Sequence, residues 1–249
     1  MNGVACRTTM LALLCTNLLA PPVQAQVKIP YQDDNWHLNI TPFAMLNGID
    51  GVVKAGGETV DLSSTSLSEV QFGLHLAVLK KAWIIQAEGS YLKYSLQGGT
   101  SDGTPARLDL TQSMGDAAVG YSFGTNQRSF AVLGGVRYLN IKGETTVQGQ
   151  QPESGSQDIW DPYLGLRFFW GVYDRVPVVL RADVGGFQIS DVDLSWRVTV
   201  GAAYQFSDRL AVDGGWRWFD IEYKTSSTAD QAIYDVRQNG PYLALTFGI

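Results

Sequence analysis

Few residues in this chain could do chemistry, and their spacing says more than their identity. Ten charged side chains fall on one phase of an every-second-residue alternation: Glu69, Glu88, Asp116, Asp183 and Asp213, with Arg137, Arg167, Arg181, Arg197 and Arg217. The positions between them carry no charge, as in Ile85, Ala87, Gly89 and Tyr91 around Glu88, or Leu164, Leu166, Phe168 and Trp170 around Arg167. Five acids against five arginines on one face is the composition of an ion-pair network, because charges withdrawn from water must be paired. Nucleophilic or metal chemistry has little to work with. The chain has two histidines, His37 and His75, without ligand spacing, and both of its cysteines, Cys6 and Cys15, fall in a leader-like segment.

Period two requires strands to hold those charges. Val70, Phe72, Leu74, Leu76 and Val78 alternate with Glu69, Gln71, Gly73, His75 and Ala77, and Trp196 to Phe206 alternates in the same way. Ten strands are expected, near 35–47, 69–79, 82–94, 108–123, 129–142, 159–171, 177–189, 193–206, 210–224 and 234–248, with eight as the alternative if the weakest pair belongs to loops. Short turns at Lys80-Lys81, Gly124 to Arg128, Val172 to Val176 and Ser207 to Arg209 alternate with longer connections. These run Gly48 to Ser68, Ser95 to Arg107, Gly143 to Asp158 and Thr225 to Ile233, broken only by the tight Ser190–Val192 link. Gly56-Gly57 marks a hairpin turn, so strand one should continue outward and fold back.

Arg7, the apolar stretch Thr8 to Ala20 and the small residues at Val23-Gln24-Ala25 read as a secretory leader over residues 1–25. The remaining domain is then 26–249. Loss of Arg7 takes the formal charge of −6 to −7. With no basic run, nucleic acid is excluded as a partner. An exported chain of short alternating strands is the pattern of an antiparallel up-and-down transmembrane barrel, apolar outside and polar within. A soluble barrel would show the same alternation inverted. Three features favour the membrane: the loop asymmetry, the glycines on the polar phase (Gly73, Gly135, Gly165, Gly185, Gly201) and aromatics at strand ends. Trp36, Trp83, Phe123, Phe130, Trp170 and Phe206 form one girdle; Tyr138, Trp160, Trp196, Trp218 and Tyr223 form the other.

Several segments resemble a large family of bacterial outer-membrane β-barrel proteins, related in style to OmpA-like and opacity-type surface barrels. They are Trp160-Asp161-Pro162-Tyr163-Leu164-Gly165-Leu166-Arg167, Asp183-Val184-Gly185-Gly186-Phe187, Trp218-Phe219-Asp220-Ile221-Glu222-Tyr223 and Gly240-Pro241-Tyr242-Leu243-Ala244-Leu245. The resemblance spans the mature chain and implies fold and location rather than activity. One departure is the terminus, where the expected final aromatic, Phe247, is followed by Gly248-Ile249.

In a ten-strand barrel the ten charges, with Gln86, Tyr163, Phe169 and Phe187, are expected to occupy much of the lumen. The sequence therefore predicts a monomeric structural envelope protein of the Gram-negative outer membrane, porin-like in shape, whose Arg–carboxylate pairs plug the lumen and fix strand register; the sharper reading of the same pairs is a thin gated path for small solutes or ions. The alternative is a surface antigen, adhesin or receptor acting through the loops. Expected partners are outer-membrane lipids and lipopolysaccharide, with periplasmic chaperones and the barrel-assembly machinery during biogenesis. No cofactor, metal or catalytic residue is expected. His75 could pair with Glu88 across two strands, a structural role. The deacylase spacing fails because Ala77 stands two residues after His75, and neither histidine falls at the outer rim where a protease would need one. Arg181→Leu is expected to strand a carboxylate at a cost of about 3–5 kcal/mol.

Overall fold

The computed structural model describes residues 34–55, 58–99, 105–125, 127–147, 153–173, 175–187, 192–224 and 233–249. The leader reading on residues 1–25, the Gly56-Gly57 turn and most of the Ser190–Val192 link lie outside them. Ten strands follow in chain order: β1 (His37–Ala55), β2 (Glu58–Lys80), β3 (Trp83–Gly99), β4 (Pro105–Gly124), β5 (Arg128–Val147), β6 (Glu153–Tyr173), β7 (Val176–Gly185), β8 (Val192–Ser207), β9 (Leu210–Lys224) and β10 (Ile233–Gly248). Each pairs antiparallel with its sequence neighbours, and β1 pairs with β10 to close the barrel. The count is ten, not eight. At the seam the Leu38 amide donates to the Ile249 carbonyl at 3.1 Å and the Ile249 amide returns the bond at 2.9 Å. The two residues after Phe247 thus complete the ladder.

The exterior resolves the ambiguity of phase. Phe72, Trp160, Leu164 and Leu243 are each more than half exposed on the outer surface. An apolar belt of this kind around a whole barrel is a lipid-facing surface, since soluble proteins rarely expose contiguous apolar patches of more than a few hundred Å². On β6 it runs from Trp160 to Trp170, about 33 Å of strand, or roughly 25 Å across a bilayer once the strand tilts by about 40°. Its short-turn edge carries linked aromatics: Trp83 meets Tyr121 at 5.2 Å and Phe123 stacks on Phe130 at 4.9 Å. On the other edge Tyr138 lies 4.8 Å from Trp160. Tyr223 does not belong to that girdle. It is buried in the interior, on the same phase as Arg217 and Phe219.

Beyond the belt the barrel inverts, which the alternation did not lead us to expect. As expected from the first connection, β1 and β2 stay paired out to Ala55 opposite Glu58; beyond expectation, β4 and β5 also continue, out to Ala106 opposite Val147. In this upper part the interior is apolar, with Leu92, Tyr94, Leu110, Leu139, Ile141, Ile159, Ile221 and Val236 in one buried cluster. The outer face there carries polar pairs. Arg107 reaches Asp109, Arg237 reaches Asp220 at 2.7 Å, and Tyr138 and Asn140 donate to Asp158 at 2.6 and 2.7 Å. The Ser95 hydroxyl and the Arg107 guanidinium hold the Asp109 carboxyl below its ordinary range. Water rather than lipid surrounds this section, so the burial rule reverts to that of a soluble β-barrel. One strand falls short of its expected end. β7 stops at Gly185 rather than 189, where Gly186 (φ +103°) and Phe187 (φ +36°) turn the chain, and Phe187 is exposed instead of filling the lumen.

Candidate functional site

The site is a charge cluster across the middle of the bore. Strand register sets it up: Glu88 lies opposite Asp116, Asp116 opposite Arg137 and Arg137 opposite Asp161, a line across β3 to β6. From the other wall, Asp183 on β7 lies opposite Arg197 on β8. Like charges side by side, as at Glu88 and Asp116, are tolerable only if cations reach both from across the lumen.

They do. Arg197 is fully buried and touches three carboxylates: Asp116 at 2.7 Å, Asp183 at 3.0 Å and Glu88 at 3.7 Å. Arg137, also fully buried, joins Asp161 at 3.1 Å, donates to Asp183 and to the Ser195 hydroxyl at 3.2 Å, and lies over the Phe219 ring at 4.9 Å. Arg181 contacts Asp183 at 3.2 Å and Asp116 at 3.6 Å, and donates to the Tyr163 hydroxyl at 3.1 Å. That hydroxyl donates in turn to Asp116 at 2.7 Å. Arg217 grips Glu88 with both terminal nitrogens, at 2.7 and 3.3 Å, and lies over the Phe43 ring at 5.0 Å.

Two glycines make the room. A Cβ at Gly135 would sit 2.6 Å from the Tyr163 ring, and one at Gly185 would sit 2.3 Å from the Asp161 carboxylate. Larger residues there would displace the groups they accommodate.

Seven of the ten charges singled out by alternation therefore meet: Glu88, Asp116, Arg137, Arg181, Asp183, Arg197 and Arg217. Three do not. Glu69 is half-buried and higher, next to a neutral chain in which Asn47 donates to Gln71 at 3.3 Å and Gln71 to Ser90 at 2.7 Å. Asp213 accepts from the Thr246 hydroxyl at 3.4 Å, with no guanidinium of the described residues in ion-pair reach. Arg167 faces the bore below the cluster. The residue that the charge census missed is Asp161, which is fully buried and bonded to Arg137 and Ser195 and to the Gly186 amide at 2.9 Å. Its parity with Tyr163 and Arg167 was the available signal; its place beside Trp160 at the belt edge disguised it. With it the cluster holds four acids and four arginines.

The cluster divides the bore. Above it lie the amide layer, where Gln238 donates to Gln112 at 2.6 Å, and then the apolar interior of the upper section. Below it a cavity of about 1060 Å³ opens at the short-turn end, the periplasmic side of such barrels. Its mouth includes Trp36, His37 and Arg209, and its ceiling Glu88, Arg181 and Arg197. A water-filled bore at cluster height would wet the side chains there, yet Arg137, Asp161, Asp183 and Tyr163 are nearly inaccessible. His75 lines the cavity next to Glu88 in register.

The sequence profile of the outer membrane protein beta-barrel domain matches residues 47–240, most of the barrel just described. The chain belongs to that family. It is a bacterial outer-membrane β-barrel, and the apolar belt is its lipid contact. No curated protein matches the chain. Among solved structures it is similar to the outer-membrane protease OmpT from Escherichia coli, with a TM-score of 0.59 and 13% identity, covering 87% of this chain and 97% of the other. It is also similar to the attachment invasion locus protein Ail of Yersinia pestis (TM-score 0.42, 11% identity, 87% and 100% covered). The outer-membrane protein OprG from Pseudomonas aeruginosa gives a TM-score of 0.38 at 14% identity, with 88% and 97% covered. At such identities the likeness to OmpT speaks for the shared fold and not for its activity.

Proposed function

We propose that this barrel is a structural protein of the envelope whose lumen is closed to solutes in its resting state. The observation that carries this reading is the charge-balanced cluster, buried except where Arg181 and Arg217 face the cavity, with an apolar interior above and a blind cavity below. An ion crossing it would have to displace four guanidinium groups from four carboxylates, all but Arg217 bonded to more than one partner. Breaking even one such buried pair costs about 3–5 kcal/mol. Permeation of small solutes or ions would therefore require a rearrangement of the cluster rather than simple diffusion. No catalytic role is assigned, since neither histidine stands at the outer rim.

A second reading rests on a separate observation. The strands run well past the belt and carry outward charge pairs such as Arg107–Asp109 and Arg237–Asp220. A rigid, charged rim above the membrane suits contact with lipopolysaccharide or an external ligand, in keeping with the resemblance to OmpA-like and opacity-type barrels. The test is swelling of liposomes containing the refolded barrel in small sugars and salts. The closed reading expects swelling no faster than in empty liposomes; swelling graded by solute size would overturn it.

A further inference from the structure

The closed lumen leaves one feature without a role: the blind cavity and the arginine at its ceiling that forms no ion pair among the described residues. Arg167 on β6 lies directly opposite Arg181 on β7, Arg181 opposite Thr199 on β8, and Thr199 opposite Arg217 on β9. Two arginines thus oppose each other directly on β6 and β7, with a third, Arg217, two strands further along the same register row. Like charges directly opposed across strands are destabilising unless something neutralises them. Arg181 and Arg217 turn up to Asp183 and Glu88, whereas no carboxylate of the described residues lies within ion-pair distance of Arg167. The cluster above is already balanced without it. Asp213, which lines the same cavity, feels Arg167 only beyond ion-pair distance and is hydrogen-bonded by Thr246 and Tyr242.

The surroundings of Arg167 have the polarity of a ligand site. Gln86 and Thr199 offer neutral hydrogen-bonding groups at the level of the ceiling. One row lower, Phe169 faces Val179 in register, and Phe43 and Leu79 extend the apolar wall toward the mouth. A concave cavity of this volume that sets an apolar wall beside hydrogen-bonding and charged groups, Glu88 and Asp213 among them, is the form small-molecule sites take. The guanidinium fork matches carboxylate and phosphate oxygens in pairs. We propose that the cavity binds a small organic anion entering from the periplasmic side. Its carboxylate or phosphate head is held by Arg167, with Arg181 behind it, and its apolar body lies against Phe169 and Val179. The site needs no opening of the barrel and goes beyond the closed-lumen reading.

The test is a fluorine NMR titration of 4-fluorobenzoate into the barrel in lipid nanodiscs, with empty nanodiscs subtracted. Three arms accompany it: competition by inorganic phosphate, the uncharged 4-fluorobenzyl alcohol, and the Arg167→Gln variant. Saturable binding of the benzoate is expected, displaced by phosphate, absent for the alcohol, and weakened about tenfold or more in the variant, as loss of a charge-assisted contact implies. Displacement by phosphate would mean that any oxyanion head suffices and that the apolar body only adds affinity. Equal binding of benzoate and alcohol, no displacement by phosphate, or unchanged affinity in a folded Arg167→Gln barrel would each overturn the proposal. The phosphate and alcohol arms use the wild-type chain, so the proposal stays testable if the variant fails to fold.

Discussion

Replacing Arg197 with methionine is the sharpest perturbation of the charge cluster. Methionine keeps the apolar stem and ends about where the arginine Nε stands, so it removes the guanidinium with its charge and N–H groups. Arg197 sits 2.7 Å from Asp116, 3.0 Å from Asp183 and 3.7 Å from Glu88. At an effective dielectric of about 20, a pair about 3 Å apart carries roughly 5–6 kcal/mol of Coulomb attraction. Against this, the substitution removes the desolvation penalty of Arg197 and its repulsion by Arg137. Asp183 keeps Arg137 and Arg181, while Asp116 keeps the Tyr163 hydroxyl and, of the guanidinium groups, only the longer contacts to Arg181 at 3.6 Å and Arg137 at 4.0 Å. One net negative charge is left buried. The expected cost is about 3–5 kcal/mol, read as a fall in the urea midpoint of the barrel in lipid vesicles, followed by tryptophan fluorescence. Adding Asp116→Asn restores a balance of three against three and should recover at least half the loss. Arg181→Leu should cost less, about 1–2 kcal/mol, because Arg181 borders the cavity and both its acids keep other partners. A loss below about 1 kcal/mol for Arg197→Met, or no recovery in the double variant, would refute the reasoning that the charges are held by mutual pairing.

Gly185→Ala should destabilise by about 1–3 kcal/mol through overpacking, since its Cβ would press on the Asp161 carboxylate and the Ser195 hydroxyl; the urea midpoint measures it, and a neutral result would show that the packing there is slack. Leu164→Lys, at mid-belt on the lipid face, should cost about 2–4 kcal/mol, whereas Ser156→Lys, eight residues up the same strand and above the belt, should be within about 1 kcal/mol of wild type. Equal costs in the same vesicle assay would place the belt wrongly.

Alternation alone was enough to find the strands, because a lipid-facing surface tolerates no charge and so every charge reports the phase of its strand. Arg137, Asp183 and Arg197 were legible for that reason. Their partners were not, because pairing across the bore depends on closure, tilt and register, which no local pattern encodes: Arg197 meets Asp116 across a sequence separation of 81. Tyr223 and the long connections misled for a common cause. Above the belt water replaces lipid, so the apolar phase turns inward: Tyr223, read as girdle, packs inside with Ile141 and Ile159, and strands continue through what a membrane rule reads as loop. Arg167 and Asp213 share the phase of the cluster yet stand below it. Height along a strand is set by register, and parity does not carry it.

Single-channel recording of the refolded barrel in a planar bilayer tests the closed lumen most directly, run beside a variant in which Arg137 and Tyr163 are both truncated to alanine. The account predicts a silent wild type and discrete conductance steps in the variant, where the two fully buried side chains that fill the bore at cluster height are gone. Discrete steps from the wild-type barrel would contradict it.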